Sequence, residues 1–160
     1  MDRSPISQAP LESPIGRLWV AVSPRGLVSV TRGEDPDPDA GGPVLDPHVA
    51  APALAELEAY FAGDLRTFTV PLDLRGAGGF DVAAWTAARQ IPYGETVSYG
   101  ELAAMAGHPG AARAAGNAMA RCPFSPVVPC HRVIHADGSI GGWGADTWVK
   151  RWLLDLEQGR

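Results

Sequence analysis

The chain has 160 residues, of which 46% are hydrophobic and 19% charged, and its formal net charge at neutral pH is −5. This composition excludes a disordered chain, and no apolar run reaches the roughly eighteen residues of a membrane-spanning helix. Two cysteines are too few for a disulfide scaffold, and the first ten residues lack the apolar stretch of a secretory signal. We therefore expect a cytoplasmic protein that does not associate with membranes.

The acidic charge is concentrated in the N-terminal half. Residues 1–79 hold six Arg against eleven Asp and Glu, whereas residues 80–160 hold seven Lys and Arg against seven acidic residues. Proteins that bind DNA mainly through its phosphates present a basic face. Neither half has such an excess, so DNA binding by this chain would depend on shape and on a few well-placed groups.

The first half of the sequence predicts a small α/β domain. Residues 13–33 alternate apolar and polar positions around the turn Ser23–Gly26, which indicates a β-hairpin. Residues 33–47 are dense in Pro, Asp and Gly and predict a mobile surface loop, to which we assign no function. A helix that stops at Gly63 follows, and residues 67–74 alternate as another strand. The apolar positions of that helix are Leu54, Leu57, Tyr60 and Phe61.

A glycine-rich stretch, RGAGG, separates the two halves. We place the domain boundary there, which gives an N-terminal domain of residues 1–76 and a C-terminal domain of residues 77–160. Beyond the boundary the pattern becomes helical, with apolar residues at helical spacing from Phe80 up to a turn at residues 92–94. The second domain is therefore expected to be mainly helical.

A pair of helices is predicted in the middle of the second domain. Ser98, with Glu101 three residues later, indicates a capping box at the start of a helix, and Gly107 is a natural residue to end it. A short turn leads into a second helix that ends before Pro123. Two helices around a tight turn indicate a helix-turn-helix, but an ordinary antiparallel helix pair has the same pattern.

The second of these helices consists largely of Ala and Gly. Gly116 lies in mid-helix, at a cost of about 1 kcal/mol relative to Ala, which indicates that something approaches the backbone closely. That neighbour is either another helix or a groove of DNA. In the DNA interpretation, Arg113 is the side chain that fills the space left by an extruded base.

A cysteine stands directly before a histidine in the segment SPVVPCHRVIHADGSIGGWG, as Cys130 and His131, and Glu157 lies on the final helix. A nucleophilic cysteine needs a base or a positive charge nearby, which such a set supplies. Neighbouring side chains on an extended backbone point apart, so the two interact only through a turn or a water. An inert buried thiol, a disulfide with Cys122 and a metal site including His135 are alternatives, although the spacing matches no common zinc pattern.

Three stretches of the second half carry a resemblance to a known family. They are IPYGETVSYGELAAMAGHPGAARAAGNAMA, PVVPCHRVIHADGSIGGW and KRWLLDLE, and PCHRV is highly specific. From about Phe80 to Glu157 the chain resembles the O6-alkylguanine-DNA alkyltransferases, or methylated-DNA–protein-cysteine methyltransferases. The three stretches have the same order and spacing as in that family. The stretches SPIGRLWVAV and AYFAGDL match the family's N-terminal domain loosely.

The resemblance implies a fold and an activity. The fold is an α/β N-terminal domain, an RNase H-like three-stranded antiparallel sheet with helices, followed by a mainly α C-terminal domain with a winged-helix-like helix-turn-helix. The activity is DNA repair by direct reversal, in which the protein takes the alkyl group of O6-alkylguanine, chiefly O6-methylguanine, irreversibly onto its own cysteine. Such a protein acts once, needs no cofactor or metal, and binds the minor groove of double-stranded DNA. We expect it to be a monomer.

The resemblance also assigns roles to residues. Cys130 matches the alkyl acceptor, His131 the base that acts through a water, and Glu157 the acid that orients this base. Tyr99 matches the tyrosine whose hydroxyl donates toward the leaving guanine, although its ring could equally be a core contact. Arg113 matches the finger that flips the base out. The groove-facing surface matches Ala114, Ala115 and Gly116, and the substrate pocket matches Met119, Val133, Trp143 (in place of a usual tyrosine), Gly144 and Ala145.

In the implied pocket, the carbonyls of Cys130 and Val133 accept from the guanine amine, and the amide of Gly144 donates to O6. Two positions depart from the family. Cys122 replaces a hinge asparagine, and a thiol is a poor substitute for the hydrogen bonds of an amide. Either neighbouring groups compensate, or the hinge is looser and repair is slower. Ala145 replaces a usual glycine. Its methyl group is expected to narrow the entrance and to weaken the reaction with O6-benzylguanine.

Two other functions stay open at this point. An alkyltransferase-like lesion sensor holds alkylguanine in DNA without transferring the alkyl group, but such proteins typically lack the cysteine that this chain has as Cys130. A thiol hydrolase would use Cys130, His131 and Glu157 as a triad. Incubation with duplex DNA that carries radiolabelled O6-methylguanine distinguishes the three functions. Stoichiometric label on Cys130 indicates a transferase, and tight binding without label indicates a sensor. Catalytic cleavage of an amide or ester indicates a hydrolase.

Overall fold

The computed structural model describes residues 5–40, 47–141, 143 and 145–160. The chain divides into two compact units, Met1–Gly76 and Ala77–Arg160. No helix in the described part of the chain has the length and apolar character that crossing a membrane requires.

The first unit is an antiparallel sheet of three strands with one α-helix packed on it. The elements are β1 Ser7–Ser13, β2 Gly16–Ser23, β3 Gly26–Arg32, a 3-10 turn at Pro38–Ala40 and α1 Pro47–Phe61. β2 is central, and its Leu18 pairs with Leu11 of β1 and Arg32 of β3. α1 packs against β1 and β2 and buries Leu57 and Tyr60 completely. The expected three-stranded sheet and the helix are confirmed.

The strand predicted over residues 67–74 is wrong. This segment forms a single bridge, between Leu72 and Leu27, in which Leu27 N donates to Pro71 O (2.8 Å) and Asp73 N donates to Leu27 O (2.7 Å). Pro71 has no N–H with which to continue a ladder. The pairing therefore stops after one bridge, although the side chains alternate as they would in a strand.

Part of the loop predicted to be mobile is held in place. The side chain of the fully buried Gln8 donates to Asp37 O (3.0 Å) and accepts from Asp37 N (3.1 Å). These two bonds satisfy both polar ends of the amide and tie the loop to β1. The mobility of the loop stays a prediction, and residues 41–46 lie outside the described part of the chain.

The second unit is mainly helical. Its elements are α2 Gly79–Ala88, β4 Val97–Ser98, α3 Tyr99–Met105, α4 Ala112–Arg121, a 3-10 turn at Cys130–Arg132, β5 Val133–Ile134 and α5 Thr147–Gln158. β4 and β5 pair in parallel, with Val97 opposite Val133. Because β4 leads directly into α3 and β5 follows the turn with the cysteine, this pairing brings the first residue of α3 beside the cysteine.

Both helices of the predicted helix-turn-helix are present. Ser98 Oγ accepts from Glu101 N (3.0 Å) and Ser98 N donates to Glu101 Oε1 (3.1 Å), which confirms the capping box. Gly107 ends α3 at a φ of +86°, in the region that favours glycine. α4 is anchored to α2 because Trp85 Nε1 donates to Ala118 O (2.9 Å). Local capping and this buried bond together position the pair.

Candidate active site

The cysteine lies at the first position of the 3-10 turn Cys130–Arg132, not on an extended strand. Its N–H donates to Val128 O (2.8 Å), which curls the backbone immediately before the thiol. Cys130 is 2% exposed and His131 is completely buried. The two residues therefore do not lie on the extended backbone on which adjacent side chains would point apart.

A single carboxylate on α5 organises the residues after the cysteine. Glu157 Oε2 lies 2.6 Å from His131 Nε2, and Arg132 donates to the same carboxylate through Nε (2.7 Å) and Nη2 (2.9 Å). The third guanidinium nitrogen, Nη1, donates to Ile91 O (2.6 Å). A bidentate arginine fixes the plane of a carboxylate. The fixed carboxylate in turn holds the imidazole in one orientation.

The environment keeps His131 neutral at neutral pH. Burial lowers the pKa of His131 below its ordinary value of about 6.5 and outweighs the opposing effect of the Glu157 carboxylate. A carboxylate can only accept, so the proton of the neutral ring is assigned to Nε2. Nδ1 is then the basic nitrogen of the ring, and it is also buried.

The surroundings of the Cys130 sulfur disfavour its ionisation. A hydrogen bond with the Cys122 thiol and then burial raise the pKa of Cys130 well above its ordinary value, and nearby Lys150 opposes them only weakly. The sequence alone did not predict this raised pKa. The reason is tertiary, since the neighbouring thiol and the low polarity of the site both favour the uncharged form.

A buried lysine completes the charge arrangement of the site. Lys150 of α5 is completely buried, and its Nζ donates to Val133 O (2.7 Å) and to Tyr99 Oη (3.4 Å). The same atom lies 5.7 Å from the centre of the Tyr99 ring and 5.8 Å from that of Trp143. Burial lowers the pKa of Lys150 to about 8. At neutral pH an ammonium group therefore lies beside the thiol.

Two cavities flank the buried network. One, of about 500 Å³, is lined by Met119, Ala120, Cys122, Ser125, Cys130, Trp143 and Asp146. The other, of about 420 Å³, is lined by Tyr99, Ala112, Arg113, Gly116 and His135. Burial chiefly raises the pKa of Tyr99, so its hydroxyl keeps its proton at neutral pH. Cys130 lines the first cavity, and the second presents a cation and a hydroxyl donor.

Comparison with known proteins matches both units to one family. The sequence profile described as 6-O-methylguanine DNA methyltransferase, DNA binding domain, matches residues 79–159, about half of the chain. The ribonuclease-like domain of the same family matches residues 7–74. The chain belongs to the O6-methylguanine-DNA methyltransferase family.

Individual relatives support membership of the methyltransferase family. The methylated-DNA–protein-cysteine methyltransferase of Mycobacterium bovis is 45% identical over 151 residues, 94% of this chain and 91% of the relative. The DNA base-flipping protein of Thermus thermophilus is 40% identical over 148 residues, 92% of this chain and 97% of the relative. A crystal structure of the Mycobacterium tuberculosis O6-methylguanine methyltransferase has a TM-score of 0.88 at 43% identity and covers 98% of this chain and 94% of that one.

The same Mycobacterium tuberculosis protein has also been crystallised with DNA, and that structure has a TM-score of 0.84 over 96% of this chain and 92% of that one. Membership of the methyltransferase family establishes DNA repair by alkyl transfer to a protein cysteine as the activity of the chain. The expected fold, an α/β domain followed by a helical DNA-binding domain, is confirmed with it.

The structure brings together most of the residues that the methyltransferase resemblance selects. Cys130, Cys122, Met119 and Trp143 line one cavity, and Arg113, Gly116 and Tyr99 line the other. Val133 and Ala145 line neither, and the Val133 carbonyl is occupied by Lys150. Gly144 lies outside the described residues.

One residue of the expected groove-facing surface is misplaced. Ala115 is completely buried, as is Ala118 one turn later, whereas Arg113 is exposed and Ala114 half-buried. The period of the helix puts Ala115 on the face that packs into the unit, so its small size serves close packing. Of the four residues expected to face the groove, Arg113, Ala114 and Gly116 are accessible to solvent and Ala115 is not. At Gly116 an added Cβ would meet the Tyr99 ring at 3.7 Å, an ordinary contact.

Sequence reasoning missed two buried cations of the methyltransferase site. Arg132 is part of the PCHRV motif, but its partner on α5 was not evident from the order of residues. Lys150 had a signal, because it is the single lysine among the 13 basic residues of the chain. Among the described residues, no cluster of three His, Cys, Asp or Glu side chains is arranged to hold a metal ion.

Proposed function

We propose that Cys130 is the residue that accepts the alkyl group, and that its donor is O6-alkylguanine flipped out of duplex DNA. The observation that carries this proposal is the position of the Cys130 thiol, which lines a cavity of about 500 Å³ and directly precedes a buried neutral imidazole. The alternative of an inert core thiol fits less well, because a core thiol has no reason to line a cavity beside a base.

The proposed transfer is one displacement. The thiol proton passes through a water to Nδ1 of His131, while the sulfur attacks the alkyl carbon and the bond from that carbon to O6 breaks. The electron pair goes to the guanine, toward which Tyr99 Oη donates a hydrogen bond. Water supplies the proton that the guanine takes up, and the imidazolium returns the thiol proton to water. The Glu157 carboxylate stabilises the imidazolium that forms. The product is a thioether, which has no route back, so each molecule acts once.

Lys150 supports this reaction by its charge. Its ammonium stabilises the sulfur as negative charge develops there, which offsets the raised pKa of Cys130. Its bond of 3.4 Å to Tyr99 Oη also holds the hydroxyl that donates to the leaving base. Both effects act on the transition state, because the resting thiol carries no charge.

DNA recognition is assigned to α3 and α4. We propose that residues 77–160 form the DNA-binding and alkyl-transfer domain and that α4 enters the minor groove, where Ala and Gly allow close approach. Arg113, exposed on the first turn of α4, then fills the place of the extruded guanine. A monomer in a reducing cytoplasm is sufficient, since one protein consumes one lesion.

The second candidate is lesion sensing, in which the chain binds alkylguanine in DNA with weak or no transfer. The Thermus thermophilus relative is described as a DNA base-flipping protein, and it is 40% identical to this chain. In addition, Cys122 stands at the position of the hinge asparagine and raises the pKa of the acceptor. Both observations favour a chain that binds the flipped base but transfers its alkyl group slowly.

The two candidates are distinguished by following a radiolabelled methyl group. The full chain is incubated with an excess of duplex DNA carrying labelled O6-methylguanine, and the peptides are then separated. Transfer predicts one label per chain, on Cys130, and none on Cys130→Ser. Cys122→Ser, the matched thiol control, still takes up one label per chain. Binding of the duplex without label on either cysteine would establish the sensor instead.

A further inference from the structure

The two cysteines of this chain face the same cavity. Cys122 ends α4 and Cys130 begins the 3-10 turn, and both line the space of about 500 Å³. Both are free thiols, and Cys122 is near enough to raise the pKa of Cys130. They are the only cysteines among the 160 residues, so this pairing is the only one available within the chain.

The segment between the two cysteines is short and its backbone is restricted. Residues 123–129 include three prolines, which restrict the backbone, and Val128 N donates to Phe124 O (3.1 Å) to close a turn. The Phe124 ring is 2% exposed and packs edge-on against Trp85 at 5.5 Å. The short loop is therefore anchored in the core. A disulfide needs Cβ atoms roughly 3.8 Å apart, and this anchored loop keeps both cysteines on one cavity.

Access to solvent differs between the two thiols. Cys122 is partly exposed at the end of its helix, whereas Cys130 is 2% exposed. A small oxidant therefore meets Cys122 first. Once Cys122 is oxidised, Cys130 is the nucleophile that lines the same cavity.

We propose that Cys122 and Cys130 form a reversible oxidation site, which closes to an intramolecular disulfide on reaction with a hydroperoxide and so blocks the alkyl acceptor. The Cys122 sulfur attacks the terminal peroxide oxygen, the O–O bond breaks, and a sulfenic acid forms as alcohol or water leaves. The Cys130 sulfur then displaces the sulfenic oxygen, which departs as water with the thiol proton. Two thiols are oxidised by two electrons, and one peroxide is reduced.

The disulfide determines whether Cys130 can react with an alkyl group and whether it can be recovered by reduction. While it is closed, Cys130 cannot form a thioether, so an oxidised molecule is not consumed by a lesion and a dithiol restores it. Without a partner, an oxidised Cys130 proceeds to sulfinic acid, which a dithiol does not reduce. Cys122 therefore protects a protein that can use its thiol only once. This consequence rests on the proposed role of Cys130, whereas formation of the disulfide does not.

The test treats the full chain with hydrogen peroxide, traps remaining thiols with iodoacetamide and examines the tryptic peptide 122–132, which contains both cysteines. The expected result is a peptide that lacks two hydrogen atoms and carries no trapped label, together with loss of methyl transfer. Dithiothreitol should restore both free thiols and transfer. A peptide with two trapped labels after peroxide treatment, or a disulfide between chains on a non-reducing gel, overturns the proposal.

Cys122→Ser provides the second arm, with each protein compared with its own untreated rate. In the variant, peroxide should add oxygen to Cys130, and dithiothreitol should recover much less of the lost transfer than in the native chain. Equal recovery in the two proteins contradicts a protective disulfide. Failure of transfer in the untreated native chain would instead remove the proposed function, while the peptide masses would still report on the disulfide.

Discussion

His131 Nε2 lies 2.6 Å from Glu157 Oε2, with the two side chains 0% and 1% exposed. The contact joins the 3-10 turn to the last helix and leaves Nδ1 as the basic ring nitrogen. Because Arg132 binds the same carboxylate, one buried charge on α5 orients the base and neutralises a cation. The dependence of both groups on Glu157 leads to the first prediction.

Glu157→Gln should impair both stability and repair. The variant keeps the shape of the side chain but leaves the Arg132 cation buried without a counter-charge, so we expect a loss of about 3 kcal/mol in the free energy of unfolding. The methyl-transfer rate should fall by roughly tenfold to a hundredfold, in the range of general base catalysis. Urea unfolding and single-turnover transfer measure the two effects. The exposed Glu58→Gln is the matched control, and equal behaviour of the two variants would contradict a special role for Glu157.

The pH dependence of transfer should have an acid limb below the ordinary histidine pKa. Because burial lowers the pKa of His131, the imidazole stays neutral as the pH falls to about 6.5 and is protonated only below that value. The free energy of unfolding changes with pH in the same direction as the rate. Because the unfolded chain takes up the proton at a higher pH than the folded chain does, stability is lost as the pH falls below about 6.5.

The alkaline side of the same profile tests the resting state of the sulfur. With the pKa of Cys130 raised, free thiolate is scarce at neutral pH, and the proton leaves during attack with His131 as the base. The rate in single-turnover experiments should therefore be nearly flat from neutral pH up to about pH 8. A tenfold rise for each pH unit would mean that a small population of free thiolate reacts instead.

Lys150→Met should make the Cys130 thiol harder to ionise. Loss of the buried ammonium removes the one cation that lowers the pKa of Cys130, so labelling of Cys130 by iodoacetamide should shift to higher pH. Methyl transfer should slow by roughly tenfold. Arg151→Met, an exposed neighbour on the same helix, is the control. If the variant loses stability but keeps the pH dependence of iodoacetamide labelling of the native chain, the role of Lys150 is structural only.

Arg113→Ala should impair repair of duplex DNA more than reaction with the free base. Extruding a base costs a few kcal/mol, so loss of the group that fills its place should slow transfer from duplex by roughly tenfold to a hundredfold. Reaction with free O6-alkylguanine should change little. Arg121→Ala, at the other end of α4 and paired with Asp81 at 2.8 Å, controls for loss of a positive charge. Equal slowing on both substrates would assign Arg113 to the active site itself.

Local sequence patterns predicted the elements whose bonds are local. The capping box of α3 joins Ser98 to a residue three positions away, and α1 follows a simple helical spacing of apolar residues. The prediction of a strand over residues 67–74 was wrong, and the reason is again local. Side-chain alternation is necessary for a half-buried strand, but a ladder also needs N–H groups, and Pro71 lacks one.

The candidate site was predicted in part. The order Cys130–His131 and the distant Glu157 were recognised through the PCHRV resemblance, and the structure brings His131 and Glu157 into contact. The groove-facing surface was overestimated at Ala115, because composition alone does not distinguish a small residue that faces DNA from one that packs inside. Which face of α4 is buried depends on where α2 lies, and Trp85 positions it through a bond to Ala118.

Composition, capping and one specific motif are properties of neighbouring residues, and they were enough to assign the family, the helices and the thiol chemistry. The protonation state of that thiol depends on groups far apart in the chain. Lys150 lies 20 positions after Cys130, and Cys122 reaches it only because the proline-rich loop folds back. Charge and burial act through space, so the acidity of Cys130 and its nearness to a second thiol follow from the packing of α4, the turn and α5.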